Sequence, residues 1–77
     1  HEQQRHAQLH KAVDVAGEAG RVRVTLDIVP DDDEPYATLS AIDSEGTVLG
    51  QVRVAASFRL TATSAEAWMS NGFRRPG

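Results

Sequence analysis

Acidic and imidazole side chains recur every four residues near the start of the sequence. They are Glu2, His6, His10 and Asp14. On a helix this spacing places them along one side, where two histidines four residues apart could chelate a metal ion. A stable site also needs support from outside its own element, and no such support is apparent. We therefore predict a solvated helix flank, with no bound metal and no cofactor.

A second group of carboxylates lies between two prolines. Residues 31–34 read Asp-Asp-Asp-Glu and are flanked by Pro30 and Pro35. Calcium-binding loops alternate ligands with spacers and turn at a glycine, whereas these acids are contiguous and repel one another. We expect an exposed loop. A minor alternative is an acidic knob that contacts a basic partner.

The sequence contains no recognisable catalytic centre. It has no cysteine, no hydroxyl residue in a strand–turn–helix elbow and no glycine-rich phosphate loop after a strand. We therefore expect a non-enzymatic protein with no catalytic residues. A small ligand-binding or enzymatic subunit, with a pocket formed between copies, is an alternative.

Arginines on one predicted sheet face are the most informative charged side chains. They alternate with apolar residues and are Arg21, Arg23, Arg53 and Arg59. Together they would form a local cationic surface on a chain whose net charge is -3. Such a surface attracts phosphate groups, so nucleic-acid binding is one interpretation. The other is a solvent face whose arginines pair with nearby acids such as Asp27.

Hydrophobic patterns define the elements that position these side chains. Apolar residues at helical spacing predict an N-terminal helix over residues 2–16. Strict alternation predicts a strand over residues 21–29, and an extended pattern over residues 36–42 followed by a glycine turn predicts a hairpin. The strand after that turn alternates for about 14 residues, against the usual 5 or 6. Either Gly50 or the Ala55-Ala56 pair bends it, or its far half pairs elsewhere.

A C-terminal helix is predicted from its capping signal. Residues 63–66 read Thr-Ser-Ala-Glu, which has the form of a capping box. Ala65, Trp68 and Met69 then lie on one face, and Gly72 can end the helix. A basic tail follows.

The predicted fold is α+β, a three-stranded antiparallel sheet with N- and C-terminal helices in the order α-β-β-β-α. The chain is expected to be one domain over residues 1–77, with the N-terminal helix and linker in 1–20, the sheet in 21–62 and the C-terminal helix and tail in 63–77. This order and length resemble those of double-stranded RNA-binding domains. Where such domains carry a phosphate-gripping lysine cluster, this chain reads Ser64-Ala65-Glu66-Ala67, so the resemblance is one of element order only.

Association with other molecules is expected because 77 residues bury only a small core and no disulfide can support it. An overhanging third strand leaves ladder groups open, which predicts a homodimer that also buries Trp68 and Met69 against the second copy. The preferred interpretation is a protein–protein interaction or oligomerisation module, part of a larger assembly, that binds itself or another protein. No apolar run approaches the ~20 residues of a membrane span, so we expect a cytoplasmic protein without a membrane partner.

Overall fold

The protein folds as an antiparallel sheet followed by one helix. The computed structural model describes residues 10–17 and 20–76 of the chain. Within them the elements are β1 (His10–Gly17), β2 (Gly20–Val29), β3 (Tyr36–Asp43), β4 (Val48–Ala55) and α1 (Ala62–Ser70). The strands lie side by side in chain order, β1-β2-β3-β4. The α+β class is consistent with this arrangement, but the sheet has four strands instead of three, and the order differs from that of double-stranded RNA-binding domains.

The predicted N-terminal helix is wrong for the part of it that the structure describes. Residues from His10 onward form β1, which pairs with β2 along its whole length. Val13 and Val15 are β-branched and alternate, so both can point toward the core from a strand. Val15 is 4% exposed and Val13 packs against the core. Residues 2–9 of the predicted helix lie outside the described residues.

The predicted hairpin between β3 and β4 is present, and Asp43 stabilises its turn. One carboxylate oxygen of Asp43 accepts the backbone N–H groups of Glu45 and Thr47, each at 2.9 Å. Gly46 has φ +88°, a left-handed conformation that costs glycine little. The turn therefore satisfies its own backbone donors.

The strand after this turn is shorter than predicted. β4 ends at Ala55, where the backbone turns and the N–H of Phe58 donates to the carbonyl of Ala55 at 3.0 Å. The bend therefore falls at the Ala55-Ala56 pair, one of the positions expected. Leu60 is nonetheless buried and Phe58 packs against the core. Because both side chains still point inward, the sequence alternates beyond the end of the strand.

The N-cap of the helix lies two residues before the start of the predicted capping box. Thr61 is the N-cap: its hydroxyl accepts the N–H of Ser64 at 3.1 Å, and the Ser64 hydroxyl accepts the N–H of Thr61 at 2.9 Å. The helix ends before Gly72, as predicted. The N–H of Phe73 then donates to the carbonyl of Trp68 at 3.0 Å, which turns the tail back along the helix.

The core lies between α1 and one face of the sheet, which we call the core face. Directly opposed residues of paired strands share a face, so Val24 lies between Val13 and Ala41, and Leu26 lies beside Leu39. Trp68 and Ala65 cover this face from the helix. The buried apolar residues are Val15, Val22, Val24, Leu26, Ala37, Leu39, Ala41, Val54, Leu60, Ala65 and Trp68.

Candidate interaction surface

The opposite side of the sheet, which we call the open face, carries mostly polar side chains. Its members alternate with the core residues along each strand, and α1 lies on the other side. They include Asp14, Arg21, Arg23, Thr25, Tyr36, Ser40, Gln51 and Arg53. Three of the four predicted arginines therefore share this face.

These three arginines occupy two separate corners of the open face. Arg21 and Arg23 lie beside the β1–β2 hairpin. Arg23 is opposite Ile42 of β3, whereas Arg53 is opposite Thr38. Arg23 and Arg53 are thus separated by four residues along the strands and two strand spacings across the sheet, which corresponds to about 16 Å. The cationic surface is therefore more dispersed than the sequence suggested.

Among the three arginines of the open face, Arg23 forms an ion pair with a carboxylate of the described chain. Its Nε donates to the Asp14 carboxylate at 3.2 Å across the β1–β2 ladder. The two side chains are 64% and 40% exposed, so solvent screens the pair and it contributes little to stability. Arg21 and Arg53 have no carboxylate within 4.0 Å among residues 10–17 and 20–76.

Arg53 lies against an aromatic ring. Its guanidinium carbon is 3.8 Å from the centroid of the Tyr36 ring, a cation–π contact. Tyr36 is on β3, so this contact directs the arginine inward over the sheet and away from the outer edge of β4. The only charged side chain of β4 thus leaves that edge uncovered.

The centre of the open face is compact, although α1 lies on the other side of the sheet. Thr25 and Ser40 are directly opposed on the two inner strands and are only 8% and 6% exposed. The side-chain amide of Gln51 donates to the Ser40 hydroxyl at 2.9 Å. Short side chains surrounded by longer ones are shielded without a covering layer.

The other predicted binding residues lie away from the open face. Arg59 follows the bend after β4 and lines a groove with Leu26 and Ile28, on the core-face side. Its placement with the other arginines was therefore wrong, because the strand ends four residues earlier. Trp68 is 2% exposed within its own chain, and Met69 packs against the core.

The outer edge of β4 is a free edge of the sheet among residues 10–17 and 20–76. β4 pairs with β3 on one side only, and alternate residues direct N–H and C=O groups to the other side. Val48 and Leu49 on this strand are 54% and 42% exposed, the largest exposed hydrophobic residues of the described chain. The alternation of the sequence places Val48 with the inward-facing Val52 and Val54, and the bulge at this position interrupts that alternation.

That bulge occupies one end of the strand. Ala41 is opposite Gly50, but the next residue, Ile42, is opposite Val48, so β4 has one extra residue there. From Gly50 to Ala55 the register is regular. Natural sheets protect free edges with lysine, proline or bulges, and β4 has neither lysine nor proline. Its regular part therefore remains open to pairing.

Phe73 from the C-terminal tail supports β4 from the core-face side. A Cβ atom at Gly50 would lie 2.5 Å from Cγ of Phe73. The Phe73 ring also meets Trp68 edge to face, with centroids 5.1 Å apart. Gly50 therefore lets the tail ring approach the strand and seal that side of the core.

The histidine and acidic residues singled out in the sequence form no metal-binding group within residues 10–17 and 20–76. His10 and Asp14 belong to a strand instead of a helix, and Glu2 and His6 lie outside the described residues. Residues 31–34 form an exposed loop in which the N–H of Asp33 donates to the Asp31 carboxylate at 3.2 Å. In the described part of the chain, no three histidine or acidic residues are grouped so that they could hold a metal ion.

Comparison with known proteins gives no further assignment. The chain matches no protein-family model, no curated protein and no solved structure. The described residues form one helix, α1, and it is too short and too polar to cross a membrane.

Proposed function

We propose that this protein is a non-enzymatic protein–protein interaction module that associates with a second copy of itself through the outer edge of β4. The observation that carries the proposal is the open edge from Gly50 to Ala55, next to exposed Val48 and Leu49. Strands of a second chain can satisfy such an edge through backbone hydrogen bonds.

The proposed partner is a second copy because the edge can pair with itself. Two antiparallel β4 strands related by a two-fold axis present the same groups to each other. The pairing extends the sheet from four strands to eight and buries Val48 and Leu49 of both copies. It adds apolar burial to a chain of 77 residues, whose own core is small. β4 pairs with β3 along its length, so the overhanging strand expected from the sequence is not present. The second copy therefore pairs with the free outer edge of β4 instead.

The test is sedimentation equilibrium of the whole chain and two matched variants. The parent protein should change from the single-chain mass of 8.3 kDa toward twice that mass as concentration rises through the micromolar range. Leu49→Lys adds a charge to the β4 edge and should weaken association by about tenfold or more. Ala12→Lys adds the same charge to exposed β1 and should leave association unchanged.

Hydrogen exchange provides a second measurement on the same samples. Alternate amides of β4 point away from β3 and should exchange rapidly in dilute protein. In concentrated protein they should become protected, while β1 amides keep their rates. A mass of 8.3 kDa for the parent over about a hundredfold range of concentration would contradict the proposal.

Nucleic-acid binding by the open face is a second candidate. Its support is that Arg21 and Arg53 have no carboxylate partner among residues 10–17 and 20–76. Charge reversal of Arg21 and Arg53 together should preserve the circular dichroism spectrum, since both side chains are exposed. If the parent binds single- or double-stranded DNA or RNA with steep salt dependence and this variant does not, the second candidate is favoured.

A further inference from the structure

The C-terminal tail and α1 line a groove that contains no residue of β4. The groove has a volume of about 660 Å³, within the range of about 300–1,000 Å³ typical of small-molecule sites. Phe58 contributes most of its aromatic surface, because Trp68 is only 2% exposed, and Ser64 and Asn71 contribute polar groups. It therefore combines an apolar wall with hydrogen-bonding side chains.

The charge of this groove is positive although the chain is acidic overall. Arg74 and Arg75 line it and no acidic residue does, although Arg75 also borders a neighbouring hollow lined by Asp31, Asp33 and Glu34. Neither arginine has an ion-pair partner among residues 10–17 and 20–76. Guanidinium groups bind carboxylates and phosphates through paired N–H donors. Two adjacent, unpaired guanidinium groups beside aromatic surface favour an anionic ligand with an apolar part.

Trp68 provides a second, independent indication. Trp68 is among the residues that line the groove and is 2% exposed, and its Nε1 is a buried donor with no hydrogen-bond partner in the described chain. Buried indole N–H groups usually have an acceptor, and leaving one unpaired costs about 1–3 kcal/mol. An oxyanion in the groove can supply that acceptor.

The tail can adjust to such a ligand. Residues 74–76 form no hydrogen bond or ion pair within the described chain. Few interactions therefore oppose a small movement of the tail that brings a bound oxygen to the Trp68 Nε1 and the two guanidinium groups.

We propose that this groove binds a small organic oxyanion, a carboxylate or phosphate ester carried on an aromatic body. The aromatic part packs against Phe58 and Trp68, and the charged oxygens accept from Arg74, Arg75 and the Trp68 indole N–H. Neutral aromatic compounds and small inorganic anions each satisfy only half of these contacts, so they bind more weakly.

The test is an NMR titration that follows the indole N–H resonance of Trp68, the only tryptophan in the chain. The probes are benzoate and phenyl phosphate, with benzyl alcohol and inorganic phosphate as half-ligands. Benzoate or phenyl phosphate should shift the resonance saturably downfield. The stronger of these two probes identifies the preferred oxyanion, and each half-ligand should need at least about tenfold higher concentration.

Matched variants separate this groove from general charge effects. Replacing Arg74 and Arg75 together by glutamine should weaken binding of the stronger probe by about tenfold or more. Arg59→Gln removes an exposed, unpaired arginine from a different groove and should change it less than about twofold. An absent shift, an equal shift with benzyl alcohol, or equal affinities in all three proteins would each overturn the proposal.

Discussion

The two edge strands of the sheet, β1 and β4, are supported and protected in different ways. β1 carries exposed Lys11 and Asp14, and α1 approaches its end, where the Met69 methyl lies 3.5 Å from a Cβ position at Gly17. β4 carries one charge, which turns inward over Tyr36. Charges on an edge strand oppose pairing with another chain. β1 thus carries more charged side chains than β4, and β4 is the edge that we expect to pair.

Support of the two edges by α1 can be compared by truncating neighbouring helix residues. Trp68 contacts Phe73, which packs on β4, whereas Met69 approaches β1. Trp68→Ala should lower the free energy of unfolding by about 3–5 kcal/mol because a fully buried ring is lost. Met69→Ala should cost about 1–2 kcal/mol, since that side chain is half-buried. Urea denaturation measures both; equal losses would mean that α1 supports both edges alike.

A glycine-to-alanine pair compares the packing at each edge. Gly50→Ala places a methyl group 2.5 Å from the Phe73 ring and should destabilise the protein by about 1–3 kcal/mol. At Gly17 the nearest contact would be 3.0 Å, to a methyl group of Val22. There the reduced entropy of the unfolded chain, about 0.4–1 kcal/mol, should offset most of the strain. Thermal melts of both variants provide the measurement. A harmless Gly50→Ala would show that the tail does not press on β4.

The smallest expected effect concerns the charge pair on the protected side. Asp14→Asn removes the partner of Arg23, and because both side chains are exposed the loss of stability should be below about 1 kcal/mol. Added salt should abolish the difference between the variant and the parent. A larger, salt-independent loss in chemical denaturation would mean that this pair is structurally important to β1.

The sequence predicted the parts of the fold whose patterns are unambiguous. β2, the Asp43 turn and the inward face of α1 follow from strict alternation, turn residues and helical spacing. β1 was misread because its alanines also fit a helical period, and pairing with β2 decides between the two. Arg59 was misplaced because Phe58 and Leu60 keep pointing inward after the strand has ended.

The candidate site depended on information that a linear pattern lacks. Which strand forms an edge is set by the order of all strands, so Val48 and Leu49 could be recognised only once β4 was known to be outermost. The groove at Arg74 and Arg75 likewise depends on the tail turning back after Gly72. Residue types indicated a cationic surface, but the backbone decides which side chains share it.

The loop between β2 and β3 has a practical consequence for engineering. Val29 and Tyr36 already pair at its base, and residues 31–34 are exposed. Closing a longer loop between fixed ends costs little, about 0.6 kcal/mol for each doubling of its length. The chain should therefore accept an inserted tag or a reporter peptide at this position without loss of the β2–β3 pairing.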